Sequence, residues 1–137
     1  TRMYVPQGLA GEDISADALG NKSNPDKISC PDNLKFSEAF RTLFIGEDSG
    51  YHVNNFLWAY NVDTKKLSRI LSTPAGAEST GLHAVDEING FTYIMSNFQH
   101  PGDMTFVPAV ETAVRPLINQ NFKDGYSAAV GYLTVKA

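Results

Sequence analysis

The sequence predicts an all-β fold. Three observations carry that prediction: short runs of alternating apolar and polar residues, compact turn signals between them, and a pattern that restarts after about 48 residues.

Taken in order, residues 1–27 are rich in Gly, Asp, Asn and Pro with weak periodicity, which predicts a loop-rich lead-in with a short helical turn around Ala16–Leu19. From Leu34 the character changes. Leu34-Lys35-Phe36 alternates as a strand does, and Ala39-Phe40-Arg41 follows as a turn. Thr42–Gly46 is a second strand, closed by the polar cluster Glu47-Asp48-Ser49-Gly50. Asn55–Val62 is a third, rich in aromatic residues that favour a pleated, half-buried surface. Asp63-Thr64-Lys65-Lys66 opens with the Asp typical of a turn and leads into Leu67–Leu71, a fourth strand.

The pattern then begins again. Gly81–Val85 is a strand, Asn89-Gly90 is the strongest hairpin signal in the chain, and Phe91–Ser96 returns. Leu34 falls on Leu82 at an offset of 48, and Phe44 falls on Tyr93 at 49. Four short strands per unit at this period is the pattern of propeller blades, because one such sheet cannot bury its faces alone and stacks on the next. The expected architecture is therefore a partial β-propeller of about two four-stranded blades, covering 28–75 and 76–137 after the lead-in. A β-sandwich has similar spacing and stands as the alternative. The second unit carries an insertion at 101–125 with Pro101, Pro108 and Pro116. Val107, Val110, Val114 and Leu117 at helical spacing predict a short surface helix near 106–118. Tyr126–Val135 returns to strand alternation.

Composition narrows the class of function. With 42% hydrophobic and 19% charged residues the chain has enough apolar content for a core, which excludes a disordered segment. A net charge of -4 with interspersed signs gives no basic patch for nucleic acid. No apolar run approaches the roughly 20 residues of a membrane helix. Cys30 is the only cysteine, so an intrachain disulfide or thiolate cluster is excluded. Asn21-Lys22-Ser23 fits the N-glycosylation pattern, a short match that arises easily by chance. The opening Thr1-Arg2-Met3 has no signal-peptide character, which says little about the parent protein.

Three segments occur in a fixed order: Pro31-Asp32-Asn33-Leu34, Gly76-Ala77-Glu78-Ser79-Thr80-Gly81 and Asn97-Phe98-Gln99-His100-Pro101-Gly102. Together they resemble the C-terminal part of the PhoX-type bacterial alkaline phosphatases over about residues 28–103. The resemblance implies a periplasmic or secreted parent protein built on a propeller. It also implies hydrolysis of small phosphate monoesters at a calcium and iron cluster in the channel mouth. Much of that site would lie upstream of this chain, and Cys30 does not sit in a context matching the family's iron-binding cysteine. One departure stands out: where family members carry Arg-Pro-Glu, this chain has Val5-Pro6-Gln7. Val cannot hold phosphate, and Gln is a weaker calcium ligand than a carboxylate. The alternative to a phosphatase is therefore a non-catalytic metal- or ligand-binding propeller, and beyond that a purely structural one. In every case the fragment alone is expected to be inactive and to self-associate through open edges and faces.

Candidate site residues follow from oxygen chemistry at strand ends. Asp32, Asn33 and Asp48 flank strands where a central calcium would draw ligands, and the competing role is turn capping within a solvated loop. Glu78, between small residues just before a strand, is placed either to reach a metal or to accept from neighbouring backbone N–H groups. Glu47, Asn97 and His100 are candidates to line the channel. His100 precedes a proline that fixes an extended approach, and the competing role is a single structural hydrogen bond. His52 and His83 are expected to be structural, and Phe56, Trp58 and Tyr60 to form core between blades.

Overall fold

The computed structural model describes residues 5–124 and 126–136. The Thr1-Arg2-Met3 opening lies outside them. Among the described residues the chain is mostly β, with two antiparallel sheets and one helix. The first sheet is a meander of β1 (Pro31–Ser37), β2 (Thr42–Glu47), β3 (Phe56–Asn61) and β4 (Leu67–Ser72), in that order. The second contains β5 (Glu78–Ile88), β6 (Phe91–Gln99) and β7 (Tyr132–Lys136). Helix α1 (Pro108–Asn121) lies between β6 and β7.

The turns are where the sequence places them. Arg41, Lys65 and Asn89 take left-handed φ of 49°, 61° and 55° at the three hairpin connections. The second β5–β6 turn residue, Gly90, follows at φ 82°, completing the Asn-Gly signal. The second sheet has three strands among the described residues where four are expected, and several boundaries also differ from expectation. The fifth strand runs from Glu78 through two register shifts, so Glu78 belongs to the ladder and pairs with Gln99. Asp32 and Asn33 likewise lie inside β1, where a register shift between Pro31 and Asn33 accommodates them. The last strand begins only at Tyr132, preceded by a bridge from Ala129 to Phe98. The helix is shifted relative to the expected 106–118, beginning at Pro108 and ending at Asn121 with Pro116 inside it. Pro108 at its start loses no intrahelical bond there, whereas Pro116 removes one from the interior.

The two sheets meet closely. β1 and β2 lie against β5, and Gly46 is the contact point: a Cβ there would stand 2.7 Å from the Ser79 carbonyl oxygen. Around it the contact is polar. Asn33 donates to the Ser79 carbonyl (3.2 Å), and Ser37 donates to Asp86 (2.5 Å). This explains an inversion in β1. Its polar residues Asn33, Lys35 and Ser37 turn toward β5, leaving Leu34 63% and Phe36 42% exposed on the opposite face.

That opposite face carries one apolar core, Ile28, Ile45, Trp58 and Tyr60, with Leu9 and Leu43 packed on it. The lead-in residues thus cover part of the first sheet rather than hanging free. Asp17 organises them: its carboxylate accepts from the backbone N–H groups of Leu19, Gly20 and Asn21, forming a turn near the expected position. Asn21 and Ser23 are buried, and Asn21 accepts from the Val53 N–H, so this Asn-Lys-Ser is built into the packing. A second core joins Val53, Ala75, Phe106, Val110 and Ile118, and it seats α1 on the loops beside the sheets.

Candidate metal centre

Three chain segments converge at one end of the sheet contact. They are the three that carried the resemblance. Gly76 has φ 72°, and a Cβ there would meet the backbone of Gly102 and Asp103 at 3.0 to 3.2 Å, so only glycine permits this approach. The Gly102 N–H donates to the Ala75 carbonyl (2.8 Å), tying the two loops together. Helix α1 holds the second loop from behind. Arg115 donates to the Gly102 carbonyl at 2.9 Å and lies over the Phe106 ring, while Glu111 accepts from its other nitrogens.

This framework brings Asp48, Glu78 and His100 together, with one ligating atom from each within 4.8 Å of the others. Glu78 is buried, His100 is half-buried and Asp48 is exposed. The His100 Nε2 atom lies 3.5 Å from a Glu78 carboxylate oxygen, and that same oxygen accepts from the Gln99 amide. On the other edge of the ring, His100 Nδ1 is 3.2 Å from the Gly76 carbonyl. A carbonyl oxygen only accepts, so Nδ1 carries the hydrogen. In the neutral imidazole that leaves Nε2 with its lone pair directed at the cluster.

The electrostatics agree with an anionic cradle. Although Asp48 as a whole residue is exposed, partial burial of its carboxyl in the cluster, and then the negative charge of Glu78, hold that carboxyl above its ordinary value of 3.8; Asp32 adds to the effect and His100 opposes it. A divalent cation relieves both causes, because it favours the ionised form of every carboxylate it touches. The donor set of one imidazole nitrogen and two carboxylates fits such an ion, and three protein ligands leave positions open for water or substrate.

The remaining predicted residues take different places. Asp32 contributes through its charge, and one of its oxygens accepts from the Asn33 amide at 2.8 Å. Asn33 bridges the sheets, donating to the Ser79 carbonyl, while its own oxygen faces the Thr80 hydroxyl at 3.4 Å. Asn97 pairs with Thr80 on the next rung, tucked under Gly81, and its Oδ1 is buried without a partner among the described residues. Glu47 does not face the cluster. It is fully buried on the Ile45 side of β2, the opposite side from Gly46. Its carboxylate accepts from the Ser29 N–H (2.8 Å), Trp58 Nε1 (2.7 Å) and the Phe56 N–H (3.0 Å), and meets His52 Nδ1 at 3.0 Å. Glu47 and Ser49 are thus core groups and not a solvated loop, and His52 serves structure through a carboxylate five residues away.

Sequence reasoning missed Gln99 as the amide that holds Glu78 and Arg115 as the clamp on the His100 loop. Gln99 stood inside a recognised segment, but its register against Glu78 emerges only from the β5–β6 pairing. Val5 and Gln7, at the suspected Arg and Glu positions, are exposed at a short 3-10 turn. No helix of the described residues is long and apolar enough to cross a membrane. Neither a protein-family model nor a curated protein nor a solved structure matches the chain.

Proposed function

We propose that the chain forms two adjacent blades of a β-propeller and binds a divalent cation at their junction, in a parent protein that hydrolyses small phosphate monoesters. The observation that supports it most is the convergence of Asp48, Glu78 and His100 within 4.8 Å. The blade reading is supported by the offset of 47 residues between the starts of β1 and β5, at Pro31 and Glu78, and by the packing of β5 against β1 and β2. It is also supported by the exposed Leu34 and Phe36 face, which a preceding blade would cover.

A cation in such a site neutralises phosphate charge and activates a bound water. The chain's own part is to hold the site. Glu78 supplies a buried carboxylate oriented by Gln99, His100 supplies a nitrogen oriented by the Gly76 carbonyl, and Asp48 closes the solvent side. Calcium, with iron as a second ion, is the cofactor set the family resemblance implies for the parent, whose compartment would be the periplasm or the exterior.

A second reading, cation binding without turnover, has its own support. Among the described residues, the charged groups acting on Asp48 are Glu78, His100 and Asp32, and none of these is an Arg or Lys that would receive a phosphate. Assay of the parent protein with calcium and iron against a chromogenic phosphate ester separates the two. Metal-dependent turnover abolished by Glu78→Gln supports the phosphatase. Cation binding by calorimetry with no turnover supports the second reading, and absence of both refutes the site.

A further inference from the structure

We infer that the Asp48–Glu78–His100 site selects a first-row transition ion of the zinc, iron or manganese type over calcium. The inference rests on the cation-site reading and adds to it the class of ion.

The argument begins with His100. A histidine that ligates metal through one nitrogen almost always donates its other ring N–H to a carbonyl or carboxylate, which fixes tautomer and ring orientation. His100 has that arrangement, with Nδ1 held by the Gly76 carbonyl and Nε2 turned toward Glu78. The backbone is committed to it as well. His100 has φ 44°, a left-handed conformation uncommon for residues other than glycine, and the Gly76–Gly102 contact holds it there. The 3.5 Å gap between Nε2 and the Glu78 oxygen suits two ligands of one small ion. At the roughly 2.1 Å bond length of zinc to nitrogen or oxygen, it subtends about 113°, close to tetrahedral.

Calcium is poorly served by the same surroundings. It takes six to eight oxygen ligands and has little affinity for imidazole. Asp48 and Glu78 offer at most two oxygens each, fewer together than a calcium shell takes. The neighbours that might fill a calcium shell are turned to one another: Asn33 donates to Asp32 and to the Ser79 carbonyl, and Thr80 donates to Asn33. An ion that needs few ligands and accepts nitrogen fits this donor set better.

The test is cation titration of the full chain by calorimetry with Zn2+, Mn2+ and Ca2+, in a Cys30→Ser background that removes the exposed thiol. The informative variant is His100→Asn. Its amide nitrogen takes the place of Nδ1 and can keep the bond to Gly76, asparagine tolerates the left-handed φ, and Nε2 is gone. Zn2+ is expected to bind at least tenfold more tightly than Ca2+. His100→Asn is expected to lose that preference while leaving Ca2+ affinity within about twofold. Co2+ supplies a spectroscopic check, because its visible absorption should change between the parent chain and His100→Asn. Ca2+ binding as tight as Zn2+, or a preference for Zn2+ that survives His100→Asn, overturns the inference and leaves the cation site standing. Failure of all three ions to bind overturns the cation-site reading itself.

Discussion

Glu47→Gln is the most demanding probe of the packing that aims the site. The substitution changes almost no volume, so its effect reports the lost charge and the lost acceptor rather than packing. All four partners of this carboxylate are nitrogens: Ser29 N and Trp58 Nε1 on one oxygen, Phe56 N and His52 Nδ1 on the other. An amide replaces one acceptor by a donor, and either orientation sets N–H against N–H. Turned toward Ser29 and Trp58, it leaves two buried donors without acceptors. Turned the other way, it faces His52 Nδ1, which accepts when it carries no hydrogen, while Nε2–H donates to the Asn24 carbonyl at 3.2 Å. The Phe56 N–H and the second N–H of the amide then face one another without an acceptor, one lost contact against two in the other orientation, so the chain adopts this arrangement. An unsatisfied buried N–H costs about 1–3 kcal/mol, and reducing the other two bonds from charged to neutral acceptors costs about 1 kcal/mol each. The expected loss is about 3–5 kcal/mol, a large share of the roughly 7–20 kcal/mol typical of a chain this long. At about 2.1 cal/mol/K per residue, a loss near 4 kcal/mol lowers Tm by about 14 °C. Urea unfolding followed by Trp58 fluorescence measures it. A loss below about 1 kcal/mol with an unchanged m-value would refute the four-donor arrangement.

Other perturbations test the parts around it. Gly46→Ala sets a Cβ 2.7 Å from the Ser79 carbonyl oxygen, and neither backbone can yield cheaply. A destabilisation of about 1–3 kcal/mol together with weaker cation binding is expected, and unchanged values of both would mean that the sheets do not depend on this contact. Asp48 is held above its ordinary value by burial and by Glu78, so without cation its stability contribution is present below about pH 3.8 and lost as pH rises through the raised folded value. Asp48→Asn removes a contribution that falls with rising pH, so it should steepen the acid limb of stability and leave the metal-free Tm at pH 7 equal or higher, while cation affinity falls at least tenfold. A lowered metal-free Tm counts against that reasoning. Arg115→Met should weaken cation binding and speed hydrogen exchange at Gly102 and Asp103 by releasing the His100 loop. Unchanged exchange rates at both would remove α1 from the account. The isolated chain should self-associate through exposed apolar residues such as Leu34, Phe36, Tyr132 and Val135, and a monodisperse monomer in solution scattering would refute this.

Local rules made much of the fold legible. Asn89-Gly90 marks its hairpin because two successive left-handed residues are cheap only for such pairs, and the β1-to-β5 offset is visible because both units open on polar residues, Asp32-Asn33 and Glu78, ahead of an alternating run. What was not legible depended on the second sheet. Leu34 and Phe36 look like an inward face, yet β1 turns its polar side to β5, where the backbones approach too closely at Gly46 for bulky side chains between them. The same constraint separates Glu47 from Asp48, two adjacent acids that no composition argument distinguishes. Strand alternation places Gly46 on one side and Ile45 with Glu47 on the other. Gly46 must face Ser79, so the next residue on its side, Asp48, emerges beside Glu78, while Glu47 enters the aromatic core and has to find donors there. A signal for this was present in the chain: Trp58 and His52 bring buried N–H groups that require an acceptor, and Glu47 is the acid at the end of the strand that pairs with β3. The glycine that lets the sheets touch thus decides which acid can hold a cation and which is structural.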